Sequence, residues 1–203
     1  MRTEASRSRR RLVVASLNRA KVRELVGLLG EIPYTVVGLT DVPGATLPEE
    51  TSDTYEGNAL LKARAVARLE GDVVLADDSG LEVDALGGAP GVHSARFGGP
   101  GLDDAARTAL LLERLRGVPP ERRTARFRCV IALVCDTGPA RTVEGVVEGL
   151  IAAAPRGTAG FGYDPVFFHP GFGRTFGELS EAEKSGVSHR ALAARSARAL
   201  LLG

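Results

Sequence analysis

Leu75-Ala76-Asp77-Asp78-Ser79-Gly80-Leu81-Glu82-Val83, entered from Val73-Val74, is the stretch on which the fold turns. The apolar run Val73 to Ala76 reads as a short buried strand that ends in two carboxylates. Ser79-Gly80 then reads as a turn, and Leu81 to Val83 as a second short run able to pair back. Successive side chains on a strand point to opposite faces, so Asp77 and Asp78 cannot both enter one cleft while the backbone stays extended. One should be an orienting carboxylate and the other should project at the strand tip. The plain alternative is a hydrated turn, and only the rest of the chain can decide between the two.

Outward from this stretch, strands and helices alternate. Leu12 to Ser16 reads as a strand running into Leu17-Asn18-Arg19-Ala20-Lys21 and a helix closed by Gly30. Strand, tight polar turn and helix start make an anion pocket, with Lys21 in the first turn. No Walker A loop and no dinucleotide fingerprint occurs. Tyr34 to Gly38 reads as a second strand. A loop carrying Glu49 and Glu50 leads to a long helix capped near Asp53 and running to about Glu70, where Asn58 and Lys62 share a face. For Lys62 the plain reading is a solvated helix surface. Past a Gly- and Pro-rich loop, Leu86 to Gly101, the segment Asp103 to Arg116 reads as an amphipathic helix. Ala125 to Cys135 alternates as the strongest strand and turns through Asp136-Thr137-Gly138-Pro139 into a second long strand, Arg141 to Ala153, with Gly145 and Gly149 as bends. Ser188 should cap a last helix, His189 to Leu202. These elements make an α/β chain with a mixed sheet and no internal repeat.

The bulk numbers narrow the class. A chain of 203 residues suits one large domain or two closely joined lobes. A formal net charge of +1 argues against a nucleic-acid surface, and no apolar run approaches the ~20 residues of a membrane span. Cys129 and Cys135 lie too far apart along one strand to bond, which points to a reducing, cytoplasmic setting. The three histidines have no zinc spacing. Residues 1–11, MRTEASRSRRR, have no hydrophobic segment of a secretory signal and read as a basic flexible tail; a short transit peptide is the alternative.

Chemistry concentrates in two further places. Pro155 to Pro165 is a loop in which Gly160 and Gly162 allow close backbone approach. Within it, Phe161 and Tyr163 offer faces for a flat heterocycle, and Asp164 offers an acceptor for ring N–H groups. Aromatics packing a turn onto the core account for the same pattern equally well. Ser180-Glu181-Ala182-Glu183 is a capping box followed by Lys184, then Ser188-His189-Arg190. Taken together, donors, stacking faces, a cationic loop and carboxylates fit a nucleotide site with a divalent metal.

Six blocks in this order, Ala15 to Lys21, Asn58 to Ala63, Ala76 to Leu81, Leu86 to Gly91, Phe161 to Pro165 and Ser188 to Arg190, resemble the inosine triphosphatase or Ham1-like family. The resemblance covers nearly everything after residue 11. It implies an elongated mixed sheet flanked by helices in two lobes, residues 12–203, with the active site in the cleft between them and a homodimeric assembly. It implies hydrolysis of non-standard purine nucleoside triphosphates (ITP, dITP, XTP) to the monophosphate and pyrophosphate. Ser16, Leu17, Asn18, Arg19, Ala20, Lys21 and Lys62 would hold the triphosphate, and Glu50 and Asp78 the metal, usually Mg²⁺. Asp78 would also take the proton of the attacking water, with Ser79 a substrate contact. Phe161, Gly162, Tyr163, Asp164, Lys184, His189 and Arg190 would surround the base. Donors from His189 and Arg190 would favour O6 of hypoxanthine or xanthine over the amino group of adenine. Two departures stand out. Leu17 replaces a common Gly, and Gly57 replaces a frequent Glu, so no metal role falls to Glu56. The alternatives are a pyrophosphatase for modified pyrimidine nucleotides and a nucleotide- or RNA-binding module without catalysis.

Overall fold

The computed structural model describes residues 10–67, 73–135 and 138–203. The basic tail apart from Arg10 and Arg11, the expected end of the long helix near Glu70, and Asp136-Thr137 of the expected hairpin lie outside the described residues.

Among the described residues, seven strands form a mixed sheet in the order β2-β1-β3-β4-β5-β6-β7. β1 (Arg11–Val14) lies parallel to β2 (Thr35–Gly38) on one side and to β3 (Val73–Val83) on the other. β4 (Thr124–Val134), β5 (Arg141–Ile151), β6 (Phe167–His169) and β7 (Arg174–Thr175) continue it antiparallel. Among the described residues, five α-helices flank the sheet: α1 (Arg19–Leu29), α2 (Tyr55–Ala67), α3 (Asp104–Arg114), α4 (Glu181–Val187) and α5 (His189–Leu202). The α/β reading and the mixed sheet are borne out, and so is Ser188 as cap of the last helix, its hydroxyl accepting from Ala191 N.

The turn expected at Ser79-Gly80 does not form. β3 is unbroken for 11 residues and pairs with β4 from Val74↔Val134 to Val83↔Ala125. Asp, Ser and Gly are poor strand formers, but the long apolar alternation of β4 imposes its ladder on them. Gly80 has a different task. A Cβ there would stand 2.3 Å from Gly91 O and 2.6 Å from Ser94 Oγ, so glycine lets the 91–94 segment press onto the strand. Gly145 likewise marks no bend in β5: its missing Cβ would stand 2.1 Å from His189 O and 2.5 Å from Ala193 N, and α5 crosses the sheet at that point.

The alternation along β3 sorts its side chains between two layers. Leu75 packs with α1 and α5 against Leu25, Leu29, Ala193 and Ala197, whereas Ala76 packs with α2 against Tyr55, Ala59 and Ala63. Further along, Leu81 and Val83 join a separate core with Phe127, Phe167, Phe176 and α3. On the α5 face, Asp77 and Ser79 therefore fall in the gap between two apolar cores.

Candidate active site

The ladder between β1 and β3 stops at Val14↔Leu75, closed by Ala15 N donating to Leu75 O. Past this point the β3 edge is released from β1, and the chain after β1 turns into α1. Ligands of parallel sheets gather at such carboxyl ends of strands. The turn is held by side chains: Asn18 N donates to Ser16 Oγ (3.2 Å), and Asn18 Oδ1 accepts from Ala20 N (3.0 Å) and Lys21 N (3.2 Å). Asn18 therefore already caps two of the amides that a bare helix start would offer to an anion. Leu17, which departs from the common glycine of the resemblance, is 68% exposed.

Asp77 and Asp78 take opposite faces of β3, as the strand period requires. Asp77, on the α5 face, is 2% exposed. Its Oδ2 lies 3.3 Å from Lys21 Nζ and 3.8 Å from Arg190 Nε, and accepts from Ser79 Oγ at 3.4 Å. Its Oδ1 has no hydrogen-bond partner among the described residues. Burial works against its charge, but Lys21, Arg190 and Lys62 outweigh burial and hold the carboxyl well below the usual carboxylate range.

Asp78 faces α2. Its Oδ2 accepts from Asn58 Nδ2 (3.1 Å), its Oδ1 accepts from Ser79 N (3.0 Å), and Lys62 Nζ stands 3.6 Å from Oδ1. Lys62, read from its helix as solvated, is 6% exposed and also donates to Glu50 Oε1 at 2.6 Å. Arg96 grips Glu50 from outside, Nη2 donating to its carbonyl (3.2 Å) and Nη1 to its carboxylate (3.4 Å). Burial raises the Asp78 carboxyl above the usual range; Lys62 opposes the rise and Glu50 adds to it. For the Lys62 ammonium, burial is outweighed by Asp77, Asp78 and Glu50, which keep it protonated. Among the described residues, no group of three or more His, Cys, Asp and Glu side chains could hold a metal on protein ligands alone.

On the α5 face a cavity of about 310 Å³ opens over Ser79, with Asn18, Lys21, Phe161, Gly162, Tyr163, Asp164, Lys184, His189 and Arg190 in its wall. Of the expected substrate residues, Ser16, Leu17, Arg19 and Ala20 stand outside this wall, and Lys62 lies on the opposite face of β3 with Glu50 and Asp78. Two cations stand near the Phe161 ring, Lys184 Nζ 5.2 Å and Arg190 Cζ 5.4 Å from its centroid. Asp164 Oδ2, expected as an acceptor for ring N–H groups, is instead taken by Lys184 Nζ (2.6 Å) and Phe161 N (2.8 Å), which fixes loop and cation together. Tyr163 is buried, with its hydroxyl donating to Ser94 O at 2.9 Å, so Phe161 is the more open of the two rings.

His189 and Arg190 are not a polar first turn in solvent; both are buried. The His189 ring stacks on Phe127 at 4.7 Å. Burial and the charges of Arg190, Lys184 and Lys21 push its pKa well below the usual value, so it is a neutral imidazole, its Nδ1 without a partner among the described residues. Arg190 donates to Glu24 Oε2 (2.7 Å) and Ser79 Oγ (3.0 Å).

Residues 12–200 match the Ham1 family. The chain belongs to that family. A dITP/XTP pyrophosphatase of Desulforamulus reducens is 50% identical to it over 191 residues, covering 94% of this chain and 95% of that one. Another, from Symbiobacterium thermophilum, is 52% identical over 186 residues and covers 92% of each. Among solved structures, a HAM1 protein from Coxiella burnetii has a TM-score of 0.87 at 40% identity, over 95% of this chain and 98% of that one. The resemblance carried by the six blocks is therefore borne out.

Within this Ham1 chain, several members of the site escaped the sequence reading. Phe127 floors the cavity, and Asp104 and Arg107 wall it from α3; Glu24 anchors Arg190, and Arg96 braces Glu50. Only the alternation of β4 could have flagged Phe127, since it places an aromatic two residues before Cys129 on the same face. The place of the missing family Glu is also explained: a Cβ at Gly57 would stand 2.0 Å from Ser52 Oγ, while Glu56 accepts from Thr142 Oγ1 at 2.7 Å, away from Asp78.

Proposed function

We propose that this chain hydrolyses the α–β phosphoanhydride bond of non-standard purine nucleoside triphosphates, ITP, dITP and XTP, releasing the monophosphate and pyrophosphate. The observation that carries the reading is the pair of neighbouring aspartates at the free edge of β3. Asp77 fixes the cations of a flat, Phe161-backed cavity, and Asp78 stands among Asn58, Lys62 and Glu50 on the other face.

In this reading the purine lies on Phe161. Lys184 and Arg190 offer N–H donors to O6, and adenine, presenting its own N–H donors there, is refused by a buried donor–donor mismatch. Neutral His189 holds Phe127 and α5 in place beneath the base. The triphosphate runs to the β3 edge, where Lys21 and Lys62 meet its charge. Asp78, raised above the ordinary carboxylate range, accepts a proton from the water that attacks the α-phosphorus. The α-phosphorus–oxygen bond to the β-phosphate breaks and pyrophosphate leaves with the bridging oxygen.

Glu50 and Asp78 also fit a divalent metal. They are hard oxygen donors converging on one cationic position, where Lys62 Nζ now bridges them, and Mg²⁺ commonly takes one or two carboxylates with water and phosphate oxygens completing its shell. Once bound there, the ion would add charge neutralisation on the phosphates. A homodimer, a cytoplasmic setting and a cleft between two lobes belong to the same proposal. The last is supported by the separate apolar cores on either side of Asp77 and Ser79. The direct test is product analysis with dITP, dATP and dGTP: pyrophosphate from dITP well ahead of the other two is expected. Orthophosphate as the first product, or faster turnover of a modified pyrimidine triphosphate, would overturn it.

A further inference from the structure

The cavity holds one cation that the reading above leaves without a task. Arg107, on the first turns of α3, lines it beside Gly162 and Tyr163. Asp104 fixes both partners: its Oδ2 accepts from Gly162 N at 2.8 Å, and its Oδ1 lies 3.1 Å from Arg107 Nη1. The guanidinium is thus tied to the loop next to Phe161. Its Nε is buried and has no acceptor among the described residues. An arginine offers donors only, and the part of the Arg107 side chain left exposed, 18%, is where it lines the cavity, so a group bound against it there should be an acceptor.

We infer that Arg107 reads the 2-position of the purine, donating to the O2 carbonyl of xanthine and opposing the 2-amino group of guanine. This rests on the base-pocket reading given above. Lys184 is committed to Asp164 and lies over Phe161, and Arg190 is tied to Glu24, Ser79 and Asp77. A ring that turns O6 toward these two presents C2, one ring atom beyond N1, to the flank of the pocket, where Arg107 is the remaining cation outside the phosphate loop. Hypoxanthine has only C–H at this position, xanthine an acceptor, and guanine a donor. A single donor therefore separates all three in the order xanthine, hypoxanthine, guanine.

Binding of nucleoside monophosphates by titration calorimetry tests this independently of turnover. In Arg107→Met the ratio of XMP to IMP affinity should fall at least about tenfold, with GMP gaining on IMP, and Arg107→Lys should restore part of the XMP preference. A merely structural role would weaken XMP and IMP alike and leave their ratio unmoved, which would overturn the inference. So would a shift confined to the ratio of IMP to dIMP, which would place Arg107 at the sugar. Failure of the parent protein to release pyrophosphate from dITP would instead defeat the catalytic reading, and the affinity ratios would still decide the role of Arg107.

Discussion

Two adjacent aspartates with the same side chain should respond to the same substitution in opposite ways. Asp78→Asn is expected to lower kcat for dITP by roughly 10²–10⁴-fold, the usual share of a general base, while dITP still binds in a calorimetric titration. Retained turnover would remove Asp78 from its role. Asp77→Asn takes the carboxylate from a buried cluster and leaves Lys21 and Arg190 with less counter-charge. Breaking a buried ion pair of this kind costs about 3–5 kcal/mol, read as a lower urea midpoint, whereas Asp78→Asn should shift that midpoint far less. Opposite facing of the two was legible from strand period alone. That Lys62 is buried was not, because helical spacing says nothing about the neighbouring layer, and here that layer carries Asp78 and supports Glu50.

At the scale of elements, the surprise is a strand built through residues that prefer turns. Asp77-Asp78-Ser79-Gly80 looked like punctuation in isolation, and the alternation from Ala125 to Cys135 was clear, but nothing local says that the second runs alongside the first. Helix boundaries were easier. Asn18, Asp103, Ser180 and Ser188 each cap the expected helix with a side-chain oxygen, and such caps are written within three or four residues. At α2 the cap falls to Thr54, whose hydroxyl accepts from Gly57 N, rather than to Asp53. Close approaches between elements left only glycines as a trace. Gly145→Ala is expected to cost about 1–3 kcal/mol as an overpacking change, because α5 must retreat from β5. It should also raise KM for dITP more than a surface Gly→Ala change elsewhere, since α5 carries His189 and Arg190. Unchanged stability and KM would show that α5 has room to spare.

For the whole molecule, acid sensitivity has an identifiable source in one imidazole. His189 has a pKa lowered by folding, so the unfolded chain takes up its proton first as pH falls. The sign follows from linkage. Stability from this group is full above the ordinary histidine pKa near 6.5 and is lost as pH drops below it, by about 1 kcal/mol for the first unit. In urea titrations at pH 7.5 and pH 5.5, His189→Gln should lose less stability across the interval than the parent. Equal losses would mean that folding leaves the His189 pKa where the unfolded chain has it.

The register of β3 also limits how proteins built this way can diverge. Its ladder with β4 assigns odd positions to the α5 side and even positions to the α2 side. A single-residue insertion or deletion between Val73 and Asp77 that keeps the ladder beyond it would exchange the faces of the two carboxylates, bring the Asp78 side chain to the Arg190 side and leave Lys62 facing Asp77. It would also put a side chain where Gly80 admits the 91–94 segment. The wall that α3, α4 and α5 give the proposed base pocket is less constrained, since its side chains can be altered one at a time. New base preferences should therefore arise by substitution on the helices, with the length of the central strand held fixed.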